Sequence, residues 1–294
     1  MSDFLTSEIN LKIIKYFQSF SNPVLDKLAE FITMMGEEYF FILVIAIIFW
    51  CINKKFGYRL GFTLISSMIF NGGIKEALKV PRVFGTEGIR SLRIETATGY
   101  SFPSGHTQGI TTFWACMMSN IKRKWTYILG TVIIILVAFS RIYLGVHRPI
   151  DIIGGFIFAL IWVIIANKIF DYLEDGGSKT TLLIIIIPIV IGLHFFKSHD
   201  YYTASGTVVG LSIGYAIESK YIKFKEKGNL IQNILKLIIG ITIVLVFKSV
   251  LKIILPQHLI FDFVRYTFIG LWMTVGAPWL FIKLKLCLAS YRIF

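Results

Sequence analysis

The stretch Ser140-Arg141-Ile142-Tyr143-Leu144-Gly145-Val146-His147-Arg148-Pro149-Ile150-Asp151 joins an apolar run at 126–146 to a second at 150–169. A bilayer's hydrocarbon core is about 30 Å thick and takes roughly 20 apolar residues as a helix, which satisfies every backbone group within its own segment. Both runs meet that length, so each reads as a crossing. The residues between them place Arg141, His147, Arg148 and Asp151 where two helix ends meet at one membrane surface. Ionisable groups at such a junction point to function.

Further apolar runs at 37–52, 58–75, 106–120, 180–196, 203–218, 230–250 and 263–283 bring the expected crossings to nine. Mean hydropathy is +0.72, and 55% of the residues are hydrophobic. That composition excludes a soluble globule. Before the first crossing, residues 4–20 carry apolar side chains at helical spacing with Glu8, Lys12 and Lys15 between them, the pattern of an interfacial helix. Asn22-Pro23 interrupts it, and a second short amphipathic stretch runs to Gly36. The expected fold class is therefore all-α, a polytopic membrane helix bundle of about nine transmembrane helices with an N-terminal amphipathic interfacial segment. It divides into that segment at 1–36, a motif-bearing core at 37–170 and additional C-terminal helices at 180–294. No internal repeat suggests a transporter of inverted halves.

The formal net charge of +13 suggests nucleic acid in a soluble protein, but here the cations fall mostly in short connections between apolar runs. Nucleic acid is accordingly not expected as a partner, whereas the bilayer is. Lys54, Lys55 and Arg59, then Lys122, Arg123 and Lys124, then Lys220, Lys223, Lys225 and Lys227, occupy loops on one side, joined by Lys283, Lys285 and Arg292. The positive-inside rule makes that side cytoplasmic, with the amino terminus and the Arg141–Asp151 junction outside. The acidic loop at 170–179 follows this placement by helix parity alone. Cys51, Cys116 and Cys287 are widely separated and lack any metal-binding spacing. Residues 1–33 show no continuous apolar core of a cleavable signal peptide.

Two further clusters share the outer side. Lys75 and Arg82 follow the 58–75 run, and Pro103-Ser104-Gly105-His106 opens the 106–120 run. A phosphate monoester needs charge neutralisation on its oxygens, an in-line nucleophile and a proton for the departing oxygen. Lys75, Arg82 and Arg141 supply three cations, two with forked donors. Ser104 can cap a helix whose free N–H groups face an anion, and Gly105 lets that backbone come close. His147 and Asp151 are four residues apart, so the carboxylate can hold one imidazole N–H and leave the other nitrogen free to attack phosphorus. His106 remains as the general acid.

Taken singly, Lys75, Lys79, Arg82, Arg90 and Arg93 read more readily as snorkelling cations at helix ends. The ordered set Lys-x6-Arg, Pro-Ser-Gly-His and Ser-Arg-x5-His-x3-Asp does not reduce to that. Over roughly residues 37–170 the chain resembles the type 2 phosphatidic acid phosphatase superfamily. The resemblance is specific at the second and third motifs and weaker at the first, where the family usually has Pro after the Arg and this chain has Val83. It implies His147 as nucleophile oriented by Asp151, His106 as acid, and phosphate held by Lys75, Arg82, Ser104, Gly105 and Arg141. It also implies no metal and no cofactor.

The expected function is hydrolysis of a membrane lipid phosphate or diphosphate, such as undecaprenyl diphosphate, phosphatidylglycerophosphate or phosphatidate. Competing expectations are a soluble sugar phosphate as substrate, as in glucose-6-phosphatase, and a lipid or anion transporter. The transporter reading gives no role to a His-x3-Asp pair. His194, His199 and Asp200 read as interfacial residues, and Lys248 and Lys252 as anchors. Sequence sets neither the headgroup nor the oligomeric state.

Overall fold

The computed structural model describes residues 8–174 and 180–288. Residues 4–7 of the amphipathic stretch, 175–179 of the acidic loop and the tail cation Arg292 lie outside the described residues. Two compact units emerge, the first formed by 1–41 with 67–172 and the second by 42–66 with 173–294.

Helices α1 (Glu8–Gln18) and α2 (Pro23–Thr33) lie in the first unit with the start of α3 (Glu38–Ile47), while the rest of α3 and the π turn over Ile48–Ile52 belong to the second. Asn22 is the reason α1 and α2 part: its side chain accepts from the backbone N–H groups of Val24 and Leu25, both at 3.0 Å, while Pro23 opens α2. Next come α4 (Lys54–Leu78), which enters the first unit at Ser67, then within that unit a loop, α5 (Gly105–Ile121), α6 (Lys124–Tyr143) and nearly all of α7 (Pro149–Glu174). The amphipathic segment is thus packed into the same unit as the motif helices. Its outward residues Ile9, Tyr16, Phe20, Val24 and Phe31 are apolar and exposed, as suits lipid, while Asn10, Ile14 and Thr33 are buried.

In the second unit, α8 (Thr180–Phe195), α9 (His199–Ile217), α10 (Leu230–Ile254), α11 (Leu259–Leu271) and α12 (Ala277–Lys283) follow, with π turns at Glu218–Ile222 and Trp272–Gly276. Helices α9 and α11 approach until a Cβ at Gly206 or Gly210 would collide with the carbonyls of Phe263 and Thr267. Small residues at such a seam let backbones touch where lipid offers no hydrophobic gain. Lys236, fully buried, donates to the carbonyls of Trp50 and Glu226, each at 2.7 Å. Lys54 binds the buried Glu218 at 2.7 Å.

Helices stand at each of the nine apolar runs, yet length and composition qualify Lys124–Tyr143, Pro149–Leu173, Leu230–Ile254 and Leu259–Lys283 as crossings. A fifth qualifies if Pro23–Gly36 and Glu38–Ile52, bent by 51°, count as one. Among the described residues, then, four to five crossings meet these criteria where nine were expected. Helix α5, at 17 residues, is shorter than these criteria require, and α4 carries buried polar side chains, among them Thr63, Ser67 and Asn71.

Candidate active site

Helix α6 ends in a tight cap. Gly145 adopts φ +66°, its N–H donates to the Ile142 carbonyl at 3.0 Å, and the Val146 N–H donates to the Arg141 carbonyl at 3.2 Å. This is a Schellman cap, in which a left-handed residue is strained unless it is glycine. A Cβ at Gly145 would also run into the Arg90 carbonyl. The cap leaves Arg141 on the last turn of α6, with His147 just beyond it. Pro149 then starts α7, and in its first turn the Asp151 Oδ2 accepts from the Arg148 N–H at 2.8 Å, half of a capping box. The spacing Arg-x5-His-x3-Asp is what one helix end followed by one helix start requires.

The same Oδ2 accepts from Ser101 Oγ at 2.6 Å and faces His147 Nδ1 at 3.3 Å. On the other side of the ring, Arg82 Nη1 lies 3.0 Å from His147 Nε2. A guanidinium can only donate, so Nε2 is the acceptor and Nδ1 carries the proton toward Asp151. The ring is 1% exposed, and burial, with Arg82, Arg141 and Lys75 close by, holds the His147 pKa well below the usual histidine value. Its Nε2 therefore presents a lone pair at neutral pH.

The other cations and the start of α5 lie in the same unit as this ring. Arg82 is held by the carbonyls of Gly99 (3.1 Å), Val146 (3.2 Å) and Thr98. Lys75 is buried and donates to the Thr98 carbonyl at 3.3 Å, and a Cβ on Gly105 would sit 3.9 Å from its ammonium, so cation and glycine backbone are neighbours. Ser104 caps α5 as expected, accepting from the Thr107 N–H at 3.4 Å. Its own N–H donates to the Asp151 carbonyl at 2.9 Å, tying the starts of α5 and α7 together. Gly155 keeps that pairing close, since a Cβ there would meet the Ser104 carbonyl at 2.7 Å.

Arg141 is fully buried. Its Nη1 donates to Thr33 Oγ1 at 2.9 Å, while Nε and Nη2 have no hydrogen-bond partner among the described residues. Nor has the buried His106 Nε2 or Asp151 Oδ1. Polar groups left so in a protein interior carry a desolvation penalty of about 1–3 kcal/mol each, more when charged, unless a ligand meets them. A tetrahedral oxyanion is a ligand of the right chemistry for the Arg141 edge.

All eight residues singled out from sequence lie in the first unit. Sequence reasoning missed others that build the same site. Ser101 and the Arg148 backbone hold the Asp151 carboxylate, and the Thr98 and Gly99 carbonyls hold Arg82. Asn71 and Gln108 brace the start of α5 through a buried amide pair at 2.8 Å, Asn71 also donating to the Pro103 carbonyl at 3.3 Å. Ser101 lies two residues ahead of the second motif, where no local pattern marks it as a partner of Asp151. Arg90 and Arg93, readable as snorkelling cations, instead form ion pairs with Asp26 and Glu37, both at 2.6 Å. No group of three or more His, Cys, Asp or Glu able to hold a metal occurs among the described residues.

Residues 56–175 match the PAP2 superfamily model, and residues 202–290 match that of the PAP2 superfamily phosphatase transmembrane extension. Sphingosine-1-phosphate phosphatase 1 of Rattus norvegicus is 28% identical over 211 residues, covering 68% of this chain and 49% of that one. The undecaprenyl-diphosphatase of Sulfolobus acidocaldarius is 30% identical over 149 residues, covering 50% of this chain and 72% of its own. Undecaprenyl-diphosphatase BcrC of Bacillus subtilis is 31% identical over 160 residues, covering 52% and 80%. The chain spans about half the length of the rat relative. The first match takes in Lys75, Arg82, the Ser104–His106 helix start and the Arg141–Asp151 junction, and the second takes in the later apolar helices, so this multi-pass membrane protein belongs to the PAP2 superfamily.

Proposed function

We propose that the chain is an integral membrane phosphatase of lipid phosphate monoesters or terminal diphosphates that works through phospho-His147 without a metal. The observation carrying this reading is the orientation of His147, with Nδ1 on Asp151 and Nε2 toward the cations. Nε2 attacks phosphorus as the P–O bond to the leaving group breaks. The departing oxygen takes a proton from His106, and Asp151 stabilises the cationic ring. Water then attacks the phosphohistidine, giving its proton to His106, and inorganic phosphate leaves. Lys75, Arg82 and Arg141, with the N–H groups at the start of α5, offset the charge that builds on the equatorial oxygens.

A lipid substrate is favoured because the site residues follow apolar helix ends, where a lipid headgroup already resides. Undecaprenyl diphosphate, phosphatidylglycerophosphate and phosphatidate fit, and so does a sphingoid base phosphate of the kind named for the rat relative. The active face is taken as extracytoplasmic and the carboxyl terminus as cytoplasmic. In support, α5 carries the chain 17 residues, about 25 Å, from Gly105 to the basic turn at Lys122–Lys124.

Purified protein in excess EDTA is expected to release phosphate from these lipids and to be inhibited by vanadate, which can adopt a five-coordinate geometry like the transition state. Preference for glucose 6-phosphate would shift the reading to a soluble substrate. Binding without release would favour a carrier, and activity lost on chelation and restored by a divalent ion would end the metal-free mechanism. Right-side-out vesicles should turn over lipid supplied from outside. Turnover only after the vesicles are opened would reverse the assigned face.

The pH dependence follows from the His147 shift. A histidine held neutral below its usual value loses its nucleophilic lone pair only when pH falls through that lowered value. Once corrected for the substrate's own ionisation near about 6, kcat/KM should therefore stay high as pH drops through about 6.5. An acid limb at or above that pH would contradict the neutral, cation-surrounded ring.

A further inference from the structure

We infer that Thr33 is a positioning residue of the active site: its hydroxyl selects which edge of the Arg141 guanidinium faces the phosphate. The inference rests on the phosphatase reading above and goes beyond the matched family region, which begins at residue 56.

A guanidinium offers its donors along edges, and the Nε–Nη2 edge presents two parallel N–H groups suited to two oxygens of one phosphate. Thr33 Oγ1 accepts from Nη1 at 2.9 Å, and Thr96 Oγ1 gives a longer contact at 3.4 Å. With Nη1 engaged, Nε and Nη2 are the unpartnered atoms, and they are buried. Thr33 is itself fully buried, so no bulk water substitutes for its hydroxyl.

The position of Thr33 is fixed from several directions. Asp26 on α2 accepts a fork from Arg90 at 2.6 and 2.7 Å and a third bond from Tyr143, near the end of α6, at 2.6 Å. Gln18 at the end of α1 donates to the carbonyls of Arg90 (2.6 Å) and Tyr143 (2.9 Å). Beyond Thr33, a Cβ at Gly36 would lie 3.1 Å from His106 Cδ2 and 3.2 Å from Val137, so the chain passes directly against the proposed acid. One helix end thus meets both the phosphate-binding arginine and the histidine that serves the leaving group. An amphipathic helix whose task was only to lie on lipid has no need of a buried threonine aimed at an arginine 108 residues away.

The test compares Thr33→Val, which keeps the shape and removes the hydroxyl, with Thr33→Ser, which keeps the hydroxyl, in full-length protein and again in an Arg141→Lys background. The readouts are vanadate binding by thermal shift, phosphate release from dioctanoyl phosphatidate and the unliganded melting temperature. Thr33→Val should weaken vanadate binding and lower kcat about tenfold, as expected for a lost hydrogen bond to a charged group. Thr33→Ser should restore most of both, and in the Arg141→Lys background Thr33→Val should have little further effect. Wild-type vanadate affinity in Thr33→Val, or a penalty undiminished beside Arg141→Lys, would overturn the inference. So would losses that track the melting temperature and are not rescued by Ser. Wild-type protein that neither binds vanadate nor releases phosphate would instead overturn the phosphatase reading on which the inference rests.

Discussion

His147→Ala is expected to lower turnover of every substrate about ten-thousand-fold or more, because it removes the proposed nucleophile. The Asp151 carboxylate at 3.3 Å from Nδ1 and Arg82 Nη1 at 3.0 Å from Nε2 hold the ring in one orientation and one tautomer. Lys75, Arg82 and Arg141 survive the substitution, so vanadate should still bind, though without its apical partner. His106→Ala should behave differently. Its loss leaves attack intact, so a substrate with a good leaving group should still phosphorylate the enzyme while an alkoxide-leaving lipid stalls. Rapid-quench trapping of phosphohistidine separates the two variants. Substantial multiple turnover by His147→Ala would remove that residue as nucleophile.

The contrast between these histidines and Thr33 shows what a sequence can carry. Arg141, His147 and Asp151 were legible because their arrangement is local: a Schellman cap at Gly145 and a helix start at Pro149 convert spacing into geometry. Ser104 was legible for the same reason, as a cap. Thr33, Gln18 and Asp26 were not, since their partners are distant in the chain and no local pattern announces them. Amphipathic periodicity did identify α1 and α2, but periodicity does not say which face turns inward. Here lipid-facing Ile9 and Phe31 lie outside while Thr33 lies within. Hydropathy met a related limit at the crossings. It registers the polar residues of α4 as a deficit, although Ser67 and Asn71 both bond Gln108 inside the unit. Lys54 could be read as a loop cation because its partner Glu218 lies 164 residues away.

Asp151→Asn is expected to leave fold and vanadate binding largely intact while lowering the rate about a hundred- to a thousand-fold. In the serine-protease triad the corresponding change costs roughly ten-thousand-fold because the histidine settles in the wrong tautomer. The environment of Asp151 argues for a smaller loss. Three donors, Ser101 Oγ at 2.6 Å, the Arg148 N–H at 2.8 Å and His147 Nδ1 at 3.3 Å, converge on Oδ2, while Oδ1 has no hydrogen-bond partner among the described residues. An asparagine would place its carbonyl oxygen at Oδ2 and its amide at Oδ1, keeping these three bonds and hence the proton on Nδ1. What disappears is the negative charge behind the ring, which matters most once the imidazole becomes a phosphorylated cation. The deficit should therefore fall on kcat, with vanadate affinity changed much less. Ser101→Ala in the Asn variant should then add a further loss, because the shortest of the three bonds that fix the amide's orientation would be gone. Wild-type turnover in Asp151→Asn beside an inactive His147→Ala would show that the carboxylate's charge takes no part in the reaction.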